Sequence, residues 1–132
     1  MLSQKPKFRS KLEAEVAKQL SGWEYETQRV AYEVPKTYTP DFTKGIVYIE
    51  VKGFFRVGDT AKYKAIHKQL QSEGKHLVFV WSKPNQKVRK GSKITNGQWC
   101  EKEGIKWFGL TDLKELKEWS KKINDKNNRR TS

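Results

Sequence analysis

The chain has 132 residues, enough to bury one ordinary hydrophobic core but hardly two. Its 28 Lys and Arg against 15 Asp and Glu leave a formal net charge of +13, the footprint of a polyanion binder, because each neutralised phosphate releases condensed counterions; the plainer reading is that lysine keeps a small protein in solution. The single cysteine, Cys100, excludes an intrachain disulfide and a multi-cysteine zinc site, and no apolar run reaches the roughly 18 residues of a membrane span.

The opening MLSQKPKFRS lacks the apolar core of a secretory signal, so a soluble, intracellular protein without a membrane partner is expected. Phe8, Leu12, Val16 and Leu20 recur every fourth residue, which predicts an amphipathic helix over 8–20 packed on a core and ended by Ser21-Gly22. WEYETQRVAYEV, rich in aromatic and β-branched residues and stopped by Pro35, reads as a strand. IVYIEVKG is the clearest strand. A lysine-rich helix follows between Asp59 and Gln71, closed by Ser72-Glu73-Gly74, and then HLVFVW, an apolar run suited to a strand covered on both faces. Strand, helix and strand in that order suggest a parallel crossover unit. SKPNQKVRKGSK reads as a loop or frayed turn, Lys106-Trp107-Phe108 as a short strand, and TDLKELKEWSKKI as a helix capped by Thr111 or Asp112 with Leu113, Leu116 and Ile123 inward. The fold class is α/β: a central mixed sheet flanked by helices, one domain over 1–123 followed by a basic polar tail, 124–132, expected to be disordered.

The chemistry concentrates in YTPDFTKGIVYIEVK. Period-two alternation sends Val47, Ile49 and Val51 to one face of the strand and Tyr48, Glu50 and Lys52 to the other. If Lys44-Gly45 form a two-residue hairpin turn, Thr43 pairs with Ile46 and Asp41 lies opposite Tyr48, diagonal to Glu50 and roughly 7–8 Å away at the backbone. Two carboxylates at that spacing can hold a cation whose oxygen bonds are about 2.1 Å. Such a cation suits phosphodiester cleavage, which puts charge on phosphoryl oxygens and needs an activated water. Lys52 would steer the phosphate or assist proton transfer. Each residue also has a plainer reading: Glu50 and Lys52 as a surface ion pair, Asp41 after Pro40 as a turn residue. Glu13, at the edge of the first helix's apolar stripe, is either a third acid or an intrahelical partner of Arg9. Glu24 is a weaker further acid.

Pro40-Asp41 followed by Glu50-Val51-Lys52 matches the PD-(D/E)xK nuclease pattern. The wider set FRSKLEAEVAKQL, WEYE, YTPDF, IEVKG and the run from KGS through WCEKEGIKW, in this order over residues 7–108, resembles the phage endonuclease I family of Holliday-junction resolvases. The resemblance implies Glu13, Asp41, Glu50 and Lys52 as catalytic. It implies two Mg²⁺ or Mn²⁺ ions, the first held by Asp41, Glu50 and the Val51 carbonyl, the second by Glu13 and Asp41, with Glu24 at a further acidic position. It also implies a domain-swapped homodimer bridged near residues 30–38, each centre taking Glu13 from one chain and the other residues from its partner. The expected substrate is branched DNA, four-way junctions foremost, cut by paired nicks. A related nuclease acting on ordinary duplex, or a non-catalytic DNA-binding protein, are the alternatives.

Three basic groups suit phosphate contact without base reading: Lys5, Lys7, Arg9 and Lys11; Lys62, Lys64 and Lys68; and Lys83, Lys87, Arg89, Lys90 and Lys93. The plainer reading for any one of them is a solvated face.

Overall fold

The computed structural model describes residues 7–131. The elements are α1 (Lys11–Gln19), β1 (Phe42–Lys44), β2 (Val47–Lys52), α2 (Asp59–Ser72), β3 (His76–Trp81), α3 (Asn96–Glu103), β4 (Lys106–Gly109) and α4 (Leu113–Thr131). No helix among the described residues is long and apolar enough to cross a membrane. The chain divides between Lys36 and Thr37 into two compact units.

In the first unit, Ser10 caps α1 by accepting from the Glu13 N–H at 3.0 Å. The helix forms as expected, but its stripe does not enter a core: α1 has no buried residue, and Leu12 is 74% exposed. So small a unit lacks the partners to cover an apolar stripe. The expected strand after Trp23 is also absent. Residues 23–36 form no helix or ladder, and Val30, Tyr32 and Val34 stay exposed. A strand needs a neighbour for its backbone groups, and the described residues offer this segment none.

The second unit is a four-stranded sheet ordered β1-β2-β3-β4. The β1–β2 pair is antiparallel; β2–β3 is parallel, as the strand-helix-strand pattern predicts, and β3–β4 is parallel as well. Helix α2 makes the first crossover and α3 lies in the second. On one face Tyr63 and Leu70 of α2 and Trp99 and Cys100 of α3 pack on Leu77, Phe79 and Trp81 of β3. On the other, Leu116, Trp119 and Ile123 of α4 cover Val47, Val78, Val80 and Phe108. Strand β3 is therefore buried on both faces, which is why its sequence is continuously apolar. Each fully buried side chain of this size contributes about 1.5–3 kcal/mol.

Two elements depart from expectation. Helix α3 lies in a stretch for which no helix is predicted, yet Thr95 and Gln98 form a reciprocal capping box and Gly104 ends the helix at φ 72°. The polar tail from residue 124 is not disordered but continues α4 to Thr131.

That continuation holds the hairpin. The Asn124 Oδ1 accepts from the Ile46 N–H at 2.9 Å, and its Nδ2 donates to the Lys44 carbonyl at 3.0 Å. The turn is Gly45-Ile46, not Lys44-Gly45, since Lys44 pairs with Val47 and Thr43 with Tyr48. Gly45 sits at φ 59°, and a Cβ there would lie 2.2 Å from the Asn124 Oδ1, so both backbone strain and contact require glycine. Asn124→Ala should cost about 1–3 kcal/mol through two lost hydrogen bonds, read as a lower urea midpoint at unchanged slope.

Candidate active site

The turn sets where Asp41 falls. Moving the turn one residue along the chain shifts each cross-strand pairing by two, so the expected faces survive although the expected partners do not. Strand β1 begins at Phe42, paired with Ile49, and Asp41 precedes it. Asp41 then bends back on β2: its N–H donates to the Ile49 carbonyl at 2.9 Å, and its Oδ2 accepts from the Val51 N–H at 2.8 Å. Main chain and side chain of Asp41 thus grip the residues on either side of Glu50.

Glu50 and Lys52 share a face of β2, as alternation requires. Glu50 is 8% exposed, an environment in which an unpaired carboxylate would be costly. The Tyr38 hydroxyl donates to Oε1 at 2.7 Å, and the Lys52 ammonium lies 3.6 Å from Oε2. Lys52 also approaches the Asp59 Oδ2 at 3.7 Å and stands 5.0 Å from the centre of the Tyr63 ring. Asp59 opens α2 and accepts from the Arg56 N–H at 2.9 Å, which fixes the loop between β2 and α2. Tyr63 is buried against Phe79 and packs edge-on to Tyr38. The charged cluster therefore rests directly on the aromatic core.

These contacts shift the titration of the cluster. Burial acts to lower the Lys52 pKa, but contact with Tyr63 and the nearby Glu50 and Asp59 outweigh it and hold the ammonium above its ordinary 10.5. Burial, then the Glu50 hydrogen bond, raises Tyr38 well above an ordinary tyrosine. Burial raises Tyr63 as well. All three groups keep their protons at neutral pH.

The Ser82 N–H donates to the Lys52 carbonyl at 3.0 Å, which directs that carbonyl toward β3. One residue earlier on the strand, the Val51 carbonyl points to the opposite edge, the side of Asp41. Two carboxylates and one carbonyl make an all-oxygen donor set, the kind a hard divalent cation takes, and Mg²⁺ commonly uses only one or two carboxylates beside water and phosphate. No group of three or more His, Cys, Asp and Glu suited to a metal occurs among the described residues.

Glu13 belongs to the first unit, where its carboxylate accepts from the Tyr25 hydroxyl and from the Ser10 hydroxyl. Arg9 pairs with Glu26 rather than with Glu13. Glu24 accepts from Thr27 and Gln28, which hold its carboxyl below the ordinary range. Of the basic candidates, Lys7 and Lys11 are exposed and Lys5 lies outside the described residues. Lys62 stands 5.2 Å from the Tyr63 ring centre, Lys64 pairs with Glu103 at 3.7 Å, and Lys68 is exposed. Lys87 donates to the Lys93 carbonyl at 3.1 Å, while Lys83, Arg89, Lys90 and Lys93 are exposed. Cys100 is buried and receives the Trp81 N–H at 3.3 Å, and burial pushes its thiol up to about 12, so it is no nucleophile.

Sequence reading missed Tyr38, Asp59 and Tyr63. Tyr38 stands in the YTPDF motif itself, and Asp59 carries the signal of an acid in the first turn of a helix. Nothing local marks Tyr63, whose role depends on packing.

Relatives in two phages align with most of the chain. It is 40% identical over 106 residues to Endodeoxyribonuclease 1 of Enterobacteria phage T3, covering 74% of this chain and 68% of that protein. It is 39% identical over 108 residues to Endonuclease I of Escherichia phage T7, covering 76% and 71%. The phage endonuclease I family model matches residues 2–131. A match over nearly the whole length, with Asp41 hydrogen-bonded to the strand that carries Glu50 and Lys52, places the chain in the phage endonuclease I family.

Proposed function

We propose that the chain is a divalent-metal-dependent endodeoxyribonuclease that cuts branched DNA, four-way junctions foremost, by paired nicks as a homodimer. The observation that carries this reading is the buried Glu50 paired with Lys52 on β2, with Asp41 bonded to the N–H of the intervening Val51, in a family whose relatives are named as endonucleases. The net charge of +13 suits a nucleic-acid substrate.

Asp41, Glu50 and the Val51 carbonyl would hold the cation, with Glu13 of a second chain serving another. When bound, it supplies Lewis acidity to a phosphoryl oxygen and lowers the pKa of a water. The protein's own residues set the rest. The Tyr38 hydroxyl and the Lys52 ammonium hold the Glu50 carboxylate in one orientation from its two oxygens. The Val51 N–H does the same for Asp41 through Oδ2, leaving Oδ1 without a hydrogen bond among the described residues. Lys52, kept protonated by its neighbours, meets the negative charge of the scissile phosphate.

Support for the dimer comes from what each unit leaves uncovered. The first exposes Leu12, Val16 and Leu20 of α1 and the unpaired Val30, Tyr32 and Val34. The second carries a cleft of about 1080 Å³ whose lining includes Phe42, Val51, Leu110 and Leu113. Exposed apolar surface of this kind is unfavourable in a lone chain and suits a second copy. A two-fold dimer also supplies the two centres that paired cuts require.

Incubation with a four-way junction and a matched linear duplex, each with Mg²⁺ or EDTA, tests the reading. Symmetric paired cuts in the junction alone, lost in EDTA and slowed at least about 10²-fold by Glu50→Ala, are expected. Equal cutting of the duplex would sink the junction preference, and DNA bound but uncut in Mg²⁺ would sink the nuclease. Light scattering on a sizing column should return twice the 15.5 kDa chain mass; a monomer at micromolar concentration refutes the shared site.

The raised pKa values of Lys52, Tyr38 and Tyr63 set an alkaline limit. A group whose folded pKa exceeds its unfolded one contributes stability that is complete below the unfolded value and is lost as pH rises through the folded value. The ordinary values are 10.0 for tyrosine and 10.5 for lysine. This contribution should therefore hold from neutral pH to about 10 and decline above. Urea midpoints above about pH 10 should fall less steeply in Lys52→Met, and a loss confined to acid pH would contradict the assignment.

A further inference from the structure

We infer that a basic cleft beside the start of α2 holds a backbone phosphate of the bound DNA outside the cutting centre, an inference that rests on the nuclease reading above. The loop between β3 and α3 is a built structure where the sequence suggests a frayed one. The Val88 N–H donates to the Ile94 carbonyl at 3.1 Å, the Asn96 N–H to the Gln86 carbonyl at 2.9 Å, and the Asn96 side chain to the Lys83 carbonyl at 3.0 Å. Val88 itself is buried and anchors the loop to the core.

Between this loop, α2 and α3 lies a cleft of about 370 Å³ lined by Thr60, Lys64, Arg89, Lys90 and Lys102, with Trp99 among its apolar residues. Three stretches far apart in sequence thus deliver four cations to one concavity. Lys64 has a carboxylate partner in Glu103; Arg89, Lys90 and Lys102 form no ion pair among the described residues. Holding like charges together on ordered backbone is unfavourable until an anion enters. No carboxylate or side-chain amide lines the cleft, so it offers phosphate contacts and no reader of base edges.

Its position joins it to the proposed centre. Thr60 directly follows Asp59, the carboxylate that meets Lys52, and Thr60 and Lys64 lie one turn apart on the same face of α2. A strand with its scissile phosphate at Lys52 would pass the first turn of α2 and bring a neighbouring phosphate to Arg89, Lys90 and Lys102.

The test measures binding of a fluorescent four-way junction in EDTA over rising NaCl. It compares the wild-type chain with Arg89→Ala/Lys90→Ala/Lys102→Ala and with a charge-matched control on α4, Lys114→Ala/Lys122→Ala/Lys126→Ala. The cleft variant should bind about 10–100-fold more weakly, and its salt slope should fall by about one, while the control changes little. In Mg²⁺ the cleft variant should raise KM and leave kcat near wild type. An unchanged slope, or an equal loss in the control, overturns the cleft. Binding lost with the cleft in a protein that cuts nothing would uphold the cleft and refute the nuclease; no DNA binding by wild type would refute both.

Discussion

Glu50 is a carboxylate set into the face of a sheet, and the arrangement around it follows from making that tolerable. Lys52 supplies the counter-charge from the same face of the same strand, two residues on. Tyr38 supplies a hydrogen bond. Lys52 needs support in turn, because its own burial disfavours the ammonium; Asp59 at the head of α2 and Tyr63 one turn further provide it. Breaking a buried pair by removing one partner costs about 3–5 kcal/mol, so these residues constrain one another more than any one of them constrains the backbone.

The cluster can be held only because the layer beneath is rigid. Tyr63 belongs both to the charged group and to the aromatic core, where it meets Phe79 with ring centres 5.1 Å apart and Phe55 at 6.3 Å. Phe55 comes from the loop that follows β2 and packs edge-on against Trp81 and Trp99. The loop leaving the site is therefore pinned by its own side chain. On the opposite face α4 closes the sheet and reaches back with Asn124 to the hairpin turn that leads to Asp41. Glu50 is thus positioned from the aromatic side of the sheet, and the hairpin that leads to Asp41 is held from the α4 side.

The two units differ in kind. The second has a core on each face of its sheet; the first is a short helix with an apolar stripe and an irregular segment with bare apolar residues. An amphipathic pattern states that a face wants burial and says nothing of what will bury it. The same holds for Glu13, whose position on the stripe's edge marks it without naming its partners.

The sequence by itself determined what depends on local covalent periodicity. Alternation along β2 put Glu50 and Lys52 on one face, the continuous apolar run of β3 announced burial on both sides, and the strand-helix-strand order set parallel pairing. Tertiary structure decided what depends on residues distant in the chain. The turn at Gly45-Ile46 is held by Asn124, 78 positions beyond Ile46, which binds the backbone there. Asp59 and Tyr63 became partners of Lys52 only when α2 packed on the sheet, and Lys64, Arg89, Lys90 and Lys102 became one cleft only when α2 and α3 came together on its face. Side-chain direction is written every second or fourth residue; proximity is written only by the packed core.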